Sequence, residues 1–213
     1  MSRVVVFDVC GTLYRSNTTF DFVKFYHRKE KNLCRLFFVL LLTSFFGKAI
    51  NKFLGVSIRN LIISTLSGES LCKVNSRADE FTQNYLSNFK IDSIFKLFAE
   101  EKLRPNTSII LASASIEPVI KSIARFLEVD FFATKLEVNN GSFSGKIEND
   151  LKGQKHRCLA DVKMDFFASD NKDDFLVGLK SCKYLIVTKK KNLEYWKGKI
   201  EGKENDDIKI EVV

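Results

Sequence analysis

The stretch Val4-Val5-Val6-Phe7-Asp8-Val9-Cys10-Gly11-Thr12-Leu13 decides the fold. Its first four residues are apolar and mostly β-branched, the mark of a strand buried on both faces of a parallel sheet. A carboxylate ends the run, and Gly11 and Thr12 follow closely. Open α/β sheets bind ligands at the carboxyl ends of their strands. Asp8 is therefore expected at the mouth of a site, on a rigid element.

Outward from this strand the chain changes character twice. Residues 15–90 show no strand-turn pattern and read as helices at 19–30, 32–46, 48–54, 56–67 and 76–89, the first capped from the Asn17-Thr18-Thr19 run. Asp92 is expected to cap a helix reaching Lys102. Strands then alternate with helices: strands at 108–112, 130–133, 164–168 and 184–187, and helices at 117–127, 154–161 and 175–181. A hairpin is expected around Asn139-Asn140-Gly141. Residues 207–213 read as a further strand with no assigned partner. Alternation of this kind implies a parallel sheet with right-handed crossovers. The expected architecture is α/β, a Rossmann-like parallel sheet with an all-helical cap inserted after the first strand. Residues 1–14 and 91–213 would form the core and 15–90 the cap.

Bulk composition narrows the function. With 213 residues, 45% hydrophobic and 28% charged, the chain is globular. A net charge of +8 suits anionic partners. The lysines are spread along the whole chain, and Lys189-Lys190-Lys191 follows a strand, so a solvated basic surface is the reading and no nucleic-acid partner is expected. Five cysteines, Cys10, Cys34, Cys72, Cys158 and Cys182, are widely spaced with no C-x-x-C, which points to reduced thiols in a cytoplasmic protein. The N-terminus reads as a strand rather than a signal peptide. Two histidines, His27 and His156, are too few for a His-based metal cage, and His156 reads as a surface residue.

Three strand ends carry polar residues: Asp8, Ser113 and Asp170, the last followed by Asp173 and Asp174. Lys152-Gly153-Gln154-Lys155 stands at a helix start between the second and third. Two acidic loops at one sheet edge suit Mg²⁺, a hard cation that prefers oxygen. A hydroxyl, a lysine and helix N-termini beside them would hold phosphate.

In these residues the sequence resembles the haloacid dehalogenase superfamily, and within it the phosphoserine-phosphatase-like branch with a helical cap. The resemblance covers residues 3–14 and roughly 105–187. Asp8-x-x-Gly11-Thr12 is similar to the family's nucleophile loop, Ser113-Ala114-Ser115 to its second motif, and residues 140–147 followed by Lys155 to the hairpin and lysine helix of that branch. Ser169-Asp170-Asn171-Lys172-Asp173-Asp174 is similar to its closing acidic motif. The resemblance implies a small phosphomonoester substrate attacked by Asp8 to give an aspartyl-phosphate. It implies Mg²⁺ on Asp8, Asp170 and the Cys10 carbonyl, with Asp174 holding the metal or its waters. Lys155 would stabilise the transferring group, and Thr12, Ser113 and Ala114 would bind phosphate. Asp173 is the alternative to Asp174, and Lys152 to Lys155.

Cys10 departs from the family, whose phosphatases carry a second aspartate here as general acid and base. A thiol of ordinary pKa near 8.5 is a poor substitute for a carboxylic acid. Slow hydrolysis, a phosphoryl group passed onward, or a scaffold that only binds phosphate or a lipid surface are the outcomes weighed.

Residues 36–46, between Arg35 and Lys48, are the most apolar segment. They are well short of the ~20 residues of a membrane span. The first expectation is a helix buried in the cap core. The second is contact of residues 28–52 with the inner face of a membrane, through the cations Arg28, Lys29, Lys31, Arg35, Lys48 and Lys52.

Overall fold

A computed structural model describes residues 3–44, 57–201 and 207–213. The expected helix 48–54 and the end of 32–46 lie outside the described residues. Seven strands form one sheet: β1 (Arg3–Phe7), β2 (Thr107–Ile116), β3 (Asp130–Asn139), β4 (Ser142–Asn149), β5 (Phe166–Ser169), β6 (Lys183–Thr188) and β7 (Ile208–Val212), in the order β4-β3-β2-β1-β5-β6-β7. All pairs are parallel except β3 with β4. The C-terminal strand thus finds its partner in β6.

β1 lies between β2 and β5, which are reached by crossovers in opposite directions. That divergence opens a crevice at the carboxyl ends of the three strands, where Asp8 follows β1. Val5, Val6 and Phe7 are fully buried. Val5 and Phe7 point into one apolar cluster and Val6 into another, as alternation along a strand requires.

Nine helices lie among the described residues: α1 (Thr18–Lys29), α2 (Leu33–Thr43), α3 (Ile58–Ser64), α4 (Leu71–Glu80), α5 (Asp92–Leu103), α6 (Glu117–Leu127), α7 (Lys155–Cys158), α8 (Phe175–Gly178) and α9 (Leu193–Ile200). The side chains of Asn17 and Asn32 cap α1 and α2 by accepting the Phe20 and Arg35 amides. Asp92 does not cap α5. It is the first helical residue, and Ile91 takes the cap position with no side-chain bond. The expected helix 76–89 is α4 followed by a π-turn at Phe81–Tyr85 and a 3₁₀ turn at Leu86–Phe89.

Residues 130–133 and 136–138 are one strand. It runs beside β2 and then turns back through Asn140 and Gly141, both at positive φ, into β4. Two positive φ values are what a two-residue hairpin of matching twist demands, and Asn-Gly supplies them.

The apolar segment departs from the first expectation. Within α2 only Val39 and Leu42 are buried, while Leu33, Phe37, Phe38, Leu40 and Leu41 are exposed. No described helix is long and apolar enough to cross a membrane. All five cysteines are unpaired.

Candidate active site

The backbone after β1 folds into a tight loop in which the Val9 carbonyl accepts the amides of Thr12, Leu13 and Tyr14. The Asp8 amide donates to the Ala168 carbonyl at 2.8 Å, tying the loop to β5. Asp8 is 4% exposed. Its Oδ1 accepts the Val9 amide at 2.7 Å and lies 3.0 Å from Lys155 Nζ. Its Oδ2 has only the Ser169 hydroxyl at 3.5 Å, so it is the less engaged oxygen.

Gly11 has φ +72°, and a Cβ there would stand 2.1 Å from Asp170 Oδ2. The missing side chain lets the Asp170 carboxylate pack against the Asp8 loop. The Thr12 hydroxyl accepts the Asp170 amide at 3.0 Å, and Thr12 is fully buried. Thr12 is not among the residues lining the cavity described below. Thr12 thus joins the loop after β1 to the loop after β5.

Lys155 begins α7 and is 2% exposed. Its Nζ bridges Asp8 and Asp174 at 3.0 and 2.6 Å. Burial alone would lower the lysine pKa, but the two carboxylates outweigh it and raise it, so the ammonium is retained. Burial raises the Asp8 pKa, with the charge of Asp174 adding to it and Lys155 opposing. The two directions are consistent, because one cation serves two anions. Asp174 Oδ2 also accepts the Ser169 hydroxyl at 2.6 Å. That oxygen thus accepts two donors, and Asp174 is 2% exposed. Asp173 does line the cavity, as does the exposed Lys152.

The strand β2 continues past Ala112 with shifted pairing between Ala112 and Ile116. Such an irregularity re-aims side chains. Ser113 and Ala114 border the cavity there, and Ser113 Oγ accepts the Ser115 amide at 3.3 Å. Cys10 Sγ lies 3.0 Å from both Thr18 Oγ1 and Ser115 Oγ, which are 2.6 Å from each other. Burial, and then the Asp8 charge, push the thiol pKa up, so it stays protonated at neutral pH. Arg59 of α3 donates to Asp150 Oδ2 and to the Ala114 carbonyl, both at 2.7 Å. Sequence reasoning missed both groups, because nothing local to Thr18 or Arg59 announces a partner so far along the chain.

Asp8, Cys10, Arg59, Ser113, Lys155 and Asp170 border a cavity of about 820 Å³. Asp8 and Asp170 face it together. Among the described residues no three His, Cys, Asp or Glu side chains converge as a ready metal centre. The two carboxylates nonetheless repel each other: burial and the Asp8 charge push Asp170 up to about 7. An all-oxygen pair in such conflict, with the Cys10 carbonyl in the loop between, fits a hard divalent cation that keeps several of its waters.

The model of the haloacid dehalogenase-like hydrolases matches residues 5–175. No curated protein sequence matches the chain. Among solved structures, a protein of unknown function from Bordetella pertussis Tohama I is similar, with a TM-score of 0.76, 15% identity, and coverage of 93% of this chain and 96% of that one. A phospho-aspartyl intermediate analogue of phosphoserine phosphatase aligns with a TM-score of 0.54, 16% identity and coverage of 87% and 86%. A phosphoserine phosphohydrolase-like protein from Francisella tularensis subsp. tularensis SCHU S4 gives 0.52, 18%, and 88% and 87%. At these identities the structural likeness speaks for the fold, and the family match over most of the chain carries the assignment: the chain belongs to the haloacid dehalogenase-like hydrolases.

Proposed function

We propose that this hydrolase cleaves small phosphomonoesters through a covalent aspartyl-phosphate on Asp8. The observation that carries the reading is the buried Lys155 ammonium, which borders the cavity together with Asp8 and is held from behind by Asp174. In the first step an Asp8 oxygen attacks phosphorus, the ester P–O bond breaks, and the leaving oxygen takes up a proton. In the second, water attacks phosphorus and gives up a proton, the acyl-phosphate P–O bond breaks, the Asp8 carboxylate is restored and inorganic phosphate is released. Lys155 balances the charge on Asp8 and on the transferring group. Ser113 and the backbone around Ala114 hold phosphate oxygens, and Arg59 fixes that backbone through the Ala114 carbonyl. Asp8, Asp170 and the Cys10 carbonyl would hold Mg²⁺, which supplies charge neutralisation between two anions. Asn17 and Phe20 of the helical segment line the same cavity, which supports reading residues 15–90 as a cap over a core of 1–14 and 91–213. The likeness to phosphoserine phosphatase supports a small substrate. Five unpaired thiols suit the cytoplasm.

Cys10 sets the rate. A neutral thiol is a weak acid and cannot activate water as a base, and acid–base help is typically worth about two to four orders of magnitude. The same residue favours a second reading, a scaffold that binds phosphate with little turnover. One panel of phosphorylated metabolites and an aryl phosphate, assayed with Mg²⁺, separates the two. The first reading expects turnover that a chelator stops, a fall of at least about a thousandfold in Asp8→Asn, and a rise of at least about tenfold in Cys10→Asp. Phosphate binding without turnover in both wild type and Cys10→Asp would leave the second reading standing.

A further inference from the structure

The apolar face of α2 is a surface feature that the catalytic site does not use. Leu33, Phe37, Leu40 and Leu41 recur at the spacing of one helical stripe, with Phe38 at its border. Leu33 is 71% exposed and Phe37 70%. The helix packs against α1 and α3, and its buried residues, Val39 and Leu42, lie off this stripe. A contiguous exposed apolar surface of this kind marks an interaction site.

Charge beside the stripe has one sign. The three carboxylates near the α1–α2 corner are already paired: Glu30 with Lys73 and Arg77, Glu69 with Arg35, and Glu80 with Lys29 and Arg77. Arg28 and Lys31, both exposed at that corner, make no ion pair among the described residues. A second copy of this chain, itself at +8, would bring like charges together across the stripe. An anionic lipid surface satisfies both features, taking apolar side chains into the acyl boundary and cations at the headgroups. At 11 residues α2 can lie in that interface and cannot cross it.

We propose that α2 docks the protein on anionic lipid bilayers, with Leu33, Phe37, Leu40 and Leu41 inserted and Arg28 and Lys31 on the headgroups. The test is flotation of the full chain with vesicles of phosphatidylcholine alone or with about one-third phosphatidylglycerol, a charge density of the kind that attracts basic segments. The expected result is flotation with the anionic vesicles at low salt, weakened by high salt and absent with neutral ones. Phe37→Ser with Leu41→Ser should weaken it about tenfold or more. Arg28→Gln with Lys31→Gln should weaken it about tenfold. Circular dichroism checks folding, and Leu33→Ser carries the apolar arm if the double serine variant does not fold. Failure to float with anionic vesicles overturns the proposal. So does flotation indifferent to the apolar substitutions, or a dimer in light scattering that those substitutions split, which would assign the stripe to a second copy.

Discussion

Lys155 is the residue on which the site's electrostatics turn. It is a single ammonium shared by two nearly fully buried carboxylates. Lys155→Met would strand both, and removing one partner of a buried charge pair costs about 3–5 kcal/mol. Denaturant unfolding at neutral pH should show that loss. The deficit should shrink as pH falls, because protonating either aspartate removes an uncompensated charge. A deficit that stays constant with pH would mean lost packing rather than lost charge. Gly11 is constrained differently. Gly11→Ala must hold a side chain at φ +72° and push a methyl against Asp170. The expected cost is about 1–3 kcal/mol in stability, and at the proposed Mg²⁺ site displacement of Asp170 should weaken Mg²⁺ affinity as read by calorimetry. Mg²⁺ affinity equal to wild type would show that Asp170 is free to move without consequence.

Element by element, what was legible in the sequence was local. The strand ending at Asp8, the Asn-Gly turn and the order of polar strand ends are each written in a few adjacent residues. The Thr18–Ser115 and Arg59–Asp150 contacts join residues 97 and 91 positions apart, and short-range pattern does not register such pairs. Asp174 was legible as part of the acidic run, but its pairing with Lys155 is set by a helix start 19 residues away. The apolarity of α2 was plain, but which of its faces lacks a partner depends on how α1 and α3 pack. α1 carries another effect of this long-range kind. His27 is fully buried, and Thr65 Oγ1, 2.9 Å from Nε2, donates to the Ile62 carbonyl. The hydroxyl therefore accepts from His27 Nε2–H, leaving Nδ1 as a buried atom with no partner. Burial and the nearby Arg35 lower the pKa to about 4. The unfolded chain, with an ordinary histidine pKa near 6.5, binds the proton more readily. Stability from this site is thus complete above about pH 6.5 and is lost as pH falls toward 4. The contribution is on the order of 2 kcal/mol. Asp170 shifts the opposite way, so the comparison that isolates His27 is wild type against His27→Gln, which keeps a donor for Thr65. Unfolding midpoints of the variant should fall less steeply over that pH window. Parallel profiles would assign the acid sensitivity elsewhere.

For the molecule as a whole, the helical segment and the sheet share one apolar cluster. Val5 and Phe7 of β1, Ile109 and Leu111 of β2, and Ile120 and Ile123 of α6 belong to the same packed set as Val23 of α1, Ile62 and Ile63 of α3, and Val74 of α4. The opposite face of the sheet has its own cluster, which contains Trp196, the only tryptophan. The sheet lies between the two, and its strands send alternate side chains into each. Loosening the helical side therefore uncovers a strand face whose other side supports Trp196, and the two sides should unfold together. Ile62→Ala tests this from a distance. Deleting that buried side chain costs about 2–5 kcal/mol, which for a chain of this size lowers the melting temperature by roughly 4–20 °C. The drop should be the same whether followed by the helical signal in far-UV circular dichroism or by Trp196 fluorescence. Were Trp196 to melt at the wild-type temperature while helix was lost earlier, the helical segment would be a separate folding unit, and the shared cluster would be contact without cooperativity.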